Sequence, residues 1–135
     1  MSDGDETAKG GCLCGAVRYE VSGPLRPVVS CHCGQCLKYH GHYAAYSAAP
    51  TEAVGFTEDR GLTWFRSSDF ARRGFCGACG SSLFWQRDDS GRLSIAAGSF
   101  DDPSRLRTVR HIFVEDKADY YEIADGLEQL PRGMG

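Results

Sequence analysis

Gly10-Gly11-Cys12-Leu13-Cys14-Gly15-Ala16-Val17-Arg18-Tyr19-Glu20-Val21 carries two signals that together decide the fold. Its second half alternates: Val17, Tyr19 and Val21 share one face while Arg18 and Glu20 take the other, the period-two pattern of a half-buried strand. Its first half sets two cysteines one residue apart among glycines. Outward from this stretch, similar short runs recur at Tyr43–Ser47, Leu62–Phe65, Leu83–Arg87, Leu93–Ala97, His111–Val114 and Tyr120–Ile123. Gly, Pro, Asp or Ser clusters separate most of them, as between strands. Helix is expected only as a turn over Gly34–Tyr39 and another from Asp102, an N-cap type of residue followed by Pro103. The reading is a mainly β single domain.

The 135 residues suit one domain, and 41% hydrophobic against 24% charged residues leaves material for a core. Fifteen basic and eighteen acidic side chains give a net charge of −3, which argues against a generally basic nucleic-acid binder. No apolar run approaches the ~18 residues of a membrane span. MSDGDETAK has no apolar core, so a secretory signal is not expected and a reducing, cytoplasmic setting is. Residues 1–9 and the tail 125–135 read as loosely held segments flanking a domain over 10–124.

Seven cysteines fall into three clusters: Cys12-x-Cys14, Cys31-x-Cys33-x-x-Cys36 and Cys76-x-x-Cys79. A structural zinc takes four ligands in a closed tetrahedron, and a catalytic zinc takes three and keeps a position open. With clusters kept whole, only Cys12 and Cys14 with Cys76 and Cys79 make four, which leaves Cys31, Cys33 and Cys36 as three. Alternatives stand beside this partition. Iron–sulfur ligation would require splitting the clusters, and a histidine (His32, His40, His42 or His111) would close the second site into another structural one. His32 lies between two ligands, where alternation points it away from a metal.

Charge follows the same geography. Between Val21 and Thr51 there is no Asp or Glu, and Arg26, Lys38 and three histidines fall there. From Arg60 to Phe75 there are four arginines against Asp69 alone. Such surroundings suit thiolates and an anionic guest. Zinc deaminases are excluded, because their glutamate beside the first ligand has no counterpart here.

The chain resembles the glutathione-dependent formaldehyde-activating enzymes, a family that includes the centromere protein V relatives. Five blocks in order carry the resemblance: Gly10–Tyr19, Cys31–Cys36, Phe75–Gly80, Ala97–Asp101 and His111–Asp119. It implies twisted antiparallel sheets built around two zinc ions. It also implies that Cys12, Cys14, Cys76 and Cys79 hold a structural zinc and Cys31, Cys33 and Cys36 a catalytic one. The family's activity joins glutathione and formaldehyde into S-hydroxymethylglutathione, a carbon–sulfur lyase reaction written in reverse. A small-molecule thiol and a small aldehyde are therefore the expected partners. Lys38, His40, Arg66, Arg72 and Arg73 are the candidates for gripping substrate. The competing reading is a binding module with two structural zincs, for which Trp64, Phe65, Arg66, Phe70, Arg72 and Arg73 would supply a surface for nucleic acid or protein.

Overall fold

The computed structural model describes residues 7–133. Thr7–Gly11 (β1), Arg18–Ser22 (β2) and Val54–Glu58 (β5) form a small antiparallel sheet in the order β1-β2-β5. The remaining strands are Val28–Cys31 (β3), Ala44–Pro50 (β4), Leu62–Arg66 (β6), Ala71–Cys76 (β7), Ser82–Arg87 (β8), Arg92–Ala96 (β9), Thr108–Ile112 (β10) and Glu128–Gln129 (β11). They make an eight-stranded sheet ordered β11-β10-β3-β4-β9-β8-β7-β6. It is antiparallel except where β10 lies parallel to both β3 and β11. The mainly β expectation is met.

Alternation distributes the sheet's side chains between two cores. Leu93 and Ile95 of β9 and Phe84 of β8 meet Val17, Tyr19 and Val21 from the small sheet. Tyr19 packs edge-on against Phe84 and Phe100, with ring centroids 5.5 and 5.6 Å away. The intervening residues Trp85 and Ala96 face the other way and join Ala44, Tyr46 and Cys36 in a second cluster. The large sheet thus carries a structural core on one face and the candidate site on the other.

Gly10 marks where the layers close. A Cβ there would lie 2.4 Å from the Tyr19 hydroxyl and 2.5 Å from the Ser99 carbonyl oxygen. Tyr19 also shares a 2.6 Å hydrogen bond with the Ser99 hydroxyl, so neither neighbour yields freely. Gly10→Ala is expected to cost about 1–3 kcal/mol, the usual penalty of overpacking, read as a lower denaturant midpoint at unchanged slope.

The one α-helix among the described residues, Gly34–His40 (α1), begins where the sequence places it. Cys33 is its N-cap, its sulfur accepting from the Cys36 amide, and Gly41 ends it at φ 80°. Two expectations need correction. Asp102 starts no helix: its side chain accepts from Ser104 N at 3.1 Å and Leu106 N closes a single turn on Pro103 O. The chain is then drawn into the sheet, because Val28 N takes the Arg107 carbonyl at 2.8 Å. Tyr120–Ile123 forms no strand either, since the sheet edge beside β10 belongs to β11. Tyr121 instead packs its ring on His32, His42 and Tyr43.

Residues 1–6 and 134–135 lie outside the described part, but Thr7–Lys9 pair within β1. Beyond Asp125, β11 pairs with β10, and the Leu130, Pro131 and Arg132 carbonyls accept from Val114, Glu115 and Phe113 amides. Among the described residues no helix is long and apolar enough to cross a membrane.

Candidate metal centres and the cavity beside them

The seven thiols gather into two groups, Cys12/Cys14/Cys76/Cys79 and Cys31/Cys33/Cys36, with the sulfurs of each group within 4.8 Å of one another. Either group could hold a metal ion. The partition matches the one obtained by keeping the sequence clusters whole.

The first group joins the loop after β1 to the end of β7 and the turn that follows it. Cys14 Sγ lies 3.8 Å from both Cys12 Sγ and Cys76 Sγ. A tetrahedron with zinc–sulfur bonds of about 2.3 Å has edges of about 3.8 Å, so these two spacings match a zinc site. Backbone donors soften the thiolate charge: Val17 N reaches Cys12 Sγ at 3.2 Å and Cys79 N reaches Cys76 Sγ at 3.4 Å. Ser81 ties the two loops, accepting from Leu13 N at 3.0 Å and lying 3.2 Å from Cys79 Sγ. That contact is the main reason the Cys79 thiol is drawn down to about 5.

The second group is local, at the end of β3 and the start of α1. Cys36 N donates to Cys33 Sγ at 3.3 Å. Hydrogen bonds from the Cys31 and then the Cys36 thiol pull Cys33 down to about 2, and the same crowding pushes Cys31 up. The crowding thus favours ionisation at Cys33 over Cys31, and metal binding would expel the protons that remain on the group.

No histidine nitrogen joins this group among the described residues. His32 is buried and turned away, bonded to the Tyr121 hydroxyl at 2.5 Å and to His111 Nδ1 at 2.9 Å. His111 in turn meets Asp125 at 2.7 Å, His42 meets Tyr120 at 2.5 Å, and His40 meets Tyr46 at 3.0 Å. Each ring already has a partner elsewhere.

Above the three thiols opens a cavity of about 590 Å³, walled by Tyr46, Phe70, Trp85 and Phe113 and by Arg26, Arg73 and Arg87. Among the described residues no Asp or Glu lines it. Arg73 is 2% exposed and multiply held: Gln35 Oε1 accepts at 2.8 and 3.1 Å, the Tyr46 hydroxyl at 3.2 Å and Cys36 Sγ at 3.6 Å. It works as a fixed positive charge behind Cys36.

The other candidates for gripping substrate lie elsewhere. Arg72 and Arg73 are neighbours on β7, so alternation sends Arg72 to the opposite face, stacked 3.8 Å over Trp64 and bonded to Gln86. Arg66 makes a paired contact with Asp88 at 2.8 and 3.0 Å. Lys38 is exposed on α1, and neither it nor His40 lines the cavity. Trp64 itself is covered by Arg72 and tilted against Phe84, 6.1 Å away, which removes the centre of the aromatic surface considered for nucleic acid. Arg26, Trp85 and Phe113 were not singled out by the sequence as pocket residues, although the lack of carboxylates around Arg26 was a signal.

His40 gives the site a pH signature. Burial, then the Arg73 charge, lowers its pKa from 6.5 to about 4. The unfolded chain takes up the proton first, so this contribution to stability is full above pH ~6.5 and drains away as pH falls towards 4. Denaturant midpoints at pH 7 and pH 5 should show a smaller loss in His40→Gln than in the parent protein.

Taken as a class, this is a mainly β protein with two groups of cysteines that could each hold a metal ion, one of them facing a cavity that no carboxylate of the described residues lines. Residues 7–116 match the family described as glutathione-dependent formaldehyde-activating enzyme, and the chain belongs to that family. An uncharacterized lyase of Schizosaccharomyces pombe is 27% identical over 119 residues, spanning 87% of this chain and 85% of the yeast protein. A crystal structure of a Rhodobacter sphaeroides protein shares the fold with a TM-score of 0.60 and 22% identity, over 75% of this chain and 99% of that one.

Proposed function

We propose that the protein is a zinc-dependent carbon–sulfur lyase that forms and breaks an adduct between a thiol and a small aldehyde, with a structural zinc on Cys12, Cys14, Cys76 and Cys79 and a catalytic one on Cys31, Cys33 and Cys36. In the forward direction the thiol sulfur bonds to the carbonyl carbon and the thiol proton ends on the carbonyl oxygen; the reverse releases both partners. The observation that carries this reading is the second group itself. Three thiols and no histidine face a cavity, where a closed structural site would call for a fourth protein ligand.

Zinc on the second group would supply Lewis acidity that favours an incoming thiol as its thiolate. The chain supplies the rest. Arg73 offsets negative charge at Cys36, and Gln35 and Tyr46 keep the guanidinium aimed there. The Cys36 amide does the same for Cys33. Aromatic walls exclude water and hold thiol and carbonyl together, so much of the rate gain comes from proximity. Family membership and the lyase name of the yeast relative support the reaction class.

Zinc-edge X-ray absorption tests the assignment. Adding glutathione or another thiol to protein that holds two zincs should raise the sulfur count at the second zinc from three to four. An unchanged spectrum at saturating thiol would contradict the open site and favour two structural zincs.

A further inference from the structure

Among the described residues, three guanidinium groups line the cavity and no carboxylate does. Two of them are already held. Arg73 is fixed by Gln35, Tyr46 and Cys36, and Arg87 bonds Asp89 at 3.0 Å while lying 4.8 Å over the Phe70 ring. Arg26 differs. Its Nη2 donates to the Tyr46 carbonyl at 2.8 Å and its Nε more weakly to the Pro27 carbonyl at 3.3 Å. It is half-buried, and no carboxylate pairs with it among the described residues. Its backbone is pinned to β4, with Arg26 N donating to Ala48 O at 3.0 Å and the Ser47 hydroxyl to Arg26 O at 2.7 Å. Burial, then Arg92 and Arg110, push its pKa down, the mark of a cation short of a counter-charge.

Most of the remaining wall is apolar, with Tyr46, Phe70, Trp85 and Phe113 as its large side chains, and Gln35, Ser68 and Ser94 add uncharged polar groups. An ammonium group would meet three guanidinium groups there and no carboxylate to offset them. A carboxylate would meet a planar, pre-positioned donor.

We propose that this cavity selects a thiol with an apolar body that bears a carboxylate and no ammonium group, and that Arg26 is the specificity-determining residue that binds the carboxylate. The inference deepens the reading of the three-cysteine group as a thiol site and rests on it. It separates the preferred thiol from glutathione, whose glutamyl end carries an ammonium group.

A matched series tests it on the full-length, metal-loaded protein by anaerobic titration calorimetry: 6-mercaptohexanoate, its primary amide, 6-mercaptohexylamine, glutathione and thiol-free hexanoate. The acid should bind on the order of tenfold more tightly than the amide, as one charge-assisted hydrogen bond allows, and the amine should bind most weakly. Glutathione should fall below the acid. Arg26→Gln should erase the preference for acid over amide, and Arg26→Lys should keep part of it, with metal content and circular dichroism unchanged. Equal binding of acid and amide to the parent protein, or a preference that survives Arg26→Gln, would overturn the inference. The first of these reads directly on the parent protein, whether or not a variant folds. Hexanoate binding as tightly as 6-mercaptohexanoate would instead contradict the thiol reading while leaving Arg26 as a carboxylate site.

Discussion

Cys76→Ser is expected to leave a protein that is insoluble or unfolded, with the zinc of the first centre lost. Cys76 is fully buried at the end of β7, and its sulfur lies 3.8 Å from that of Cys14, 62 residues earlier in the chain. A zinc on the first group would therefore fasten the loop of the small sheet to the β7–β8 hairpin of the large one. Binding energy at a structural zinc is folding energy, on the order of 10 kcal/mol, comparable to the whole stability of a small domain. The packing around this sulfur is close: a Cβ on Gly61 would come within 2.9 Å of it. Far-ultraviolet circular dichroism and metal analysis of the soluble fraction check the result.

Cys33→Ser is expected to have the opposite profile. All three thiols of the second group lie within one short segment, Cys31–Cys36, so their metal closes no long loop. The core formed by Tyr19, Phe84 and Ile95 lies on the other face of the sheet and does not depend on it. Serine at Cys33 can still cap α1, because a hydroxyl accepts from an N3 amide as a thiol does. The variant should fold, retain the first zinc, lose most of the second, and return the thiol–aldehyde exchange rate to the uncatalysed level. If Cys33→Ser unfolded the protein while Cys76→Ser left it folded and inactive, the roles assigned to the two centres would be reversed.

The cysteine groups were legible because ligand number is a strong constraint: seven thiols in three tight clusters admit few partitions. The β2 strand was legible for a related reason, since Tyr19 and Val21 are buried with Glu20 between them less so. Failures came where tertiary contacts override the local pattern. The Tyr120–Tyr121 pair looks like strand material, yet its rings serve a cluster with His32, His42 and Tyr43 rather than a ladder. Strand β7 was hidden by its charge: Arg72 and Arg73 both read as grips for substrate, but one is stacked on Trp64 and the other is buried behind Cys36. Which of two adjacent arginines faces a cavity depends on strand register, here Arg73 opposite Trp85 and Arg72 opposite Gln86. Arg26 stayed unassigned because the role proposed for it rests on what surrounds it, a carbonyl-held guanidinium in a cavity that distant strands assemble and no carboxylate of the described residues lines.

The central claim is catalysis of thiol–aldehyde adduct exchange at the second centre. Thiols and formaldehyde combine unaided, so yield is uninformative and the rate must be read. Exchange-type NMR on equilibrated mixtures of formaldehyde with glutathione or 6-mercaptohexanoate, with and without protein verified to hold two zincs, measures it directly. The account predicts faster exchange with at least one thiol, abolished in Cys33→Ser; unchanged exchange with every thiol and aldehyde tried would contradict it.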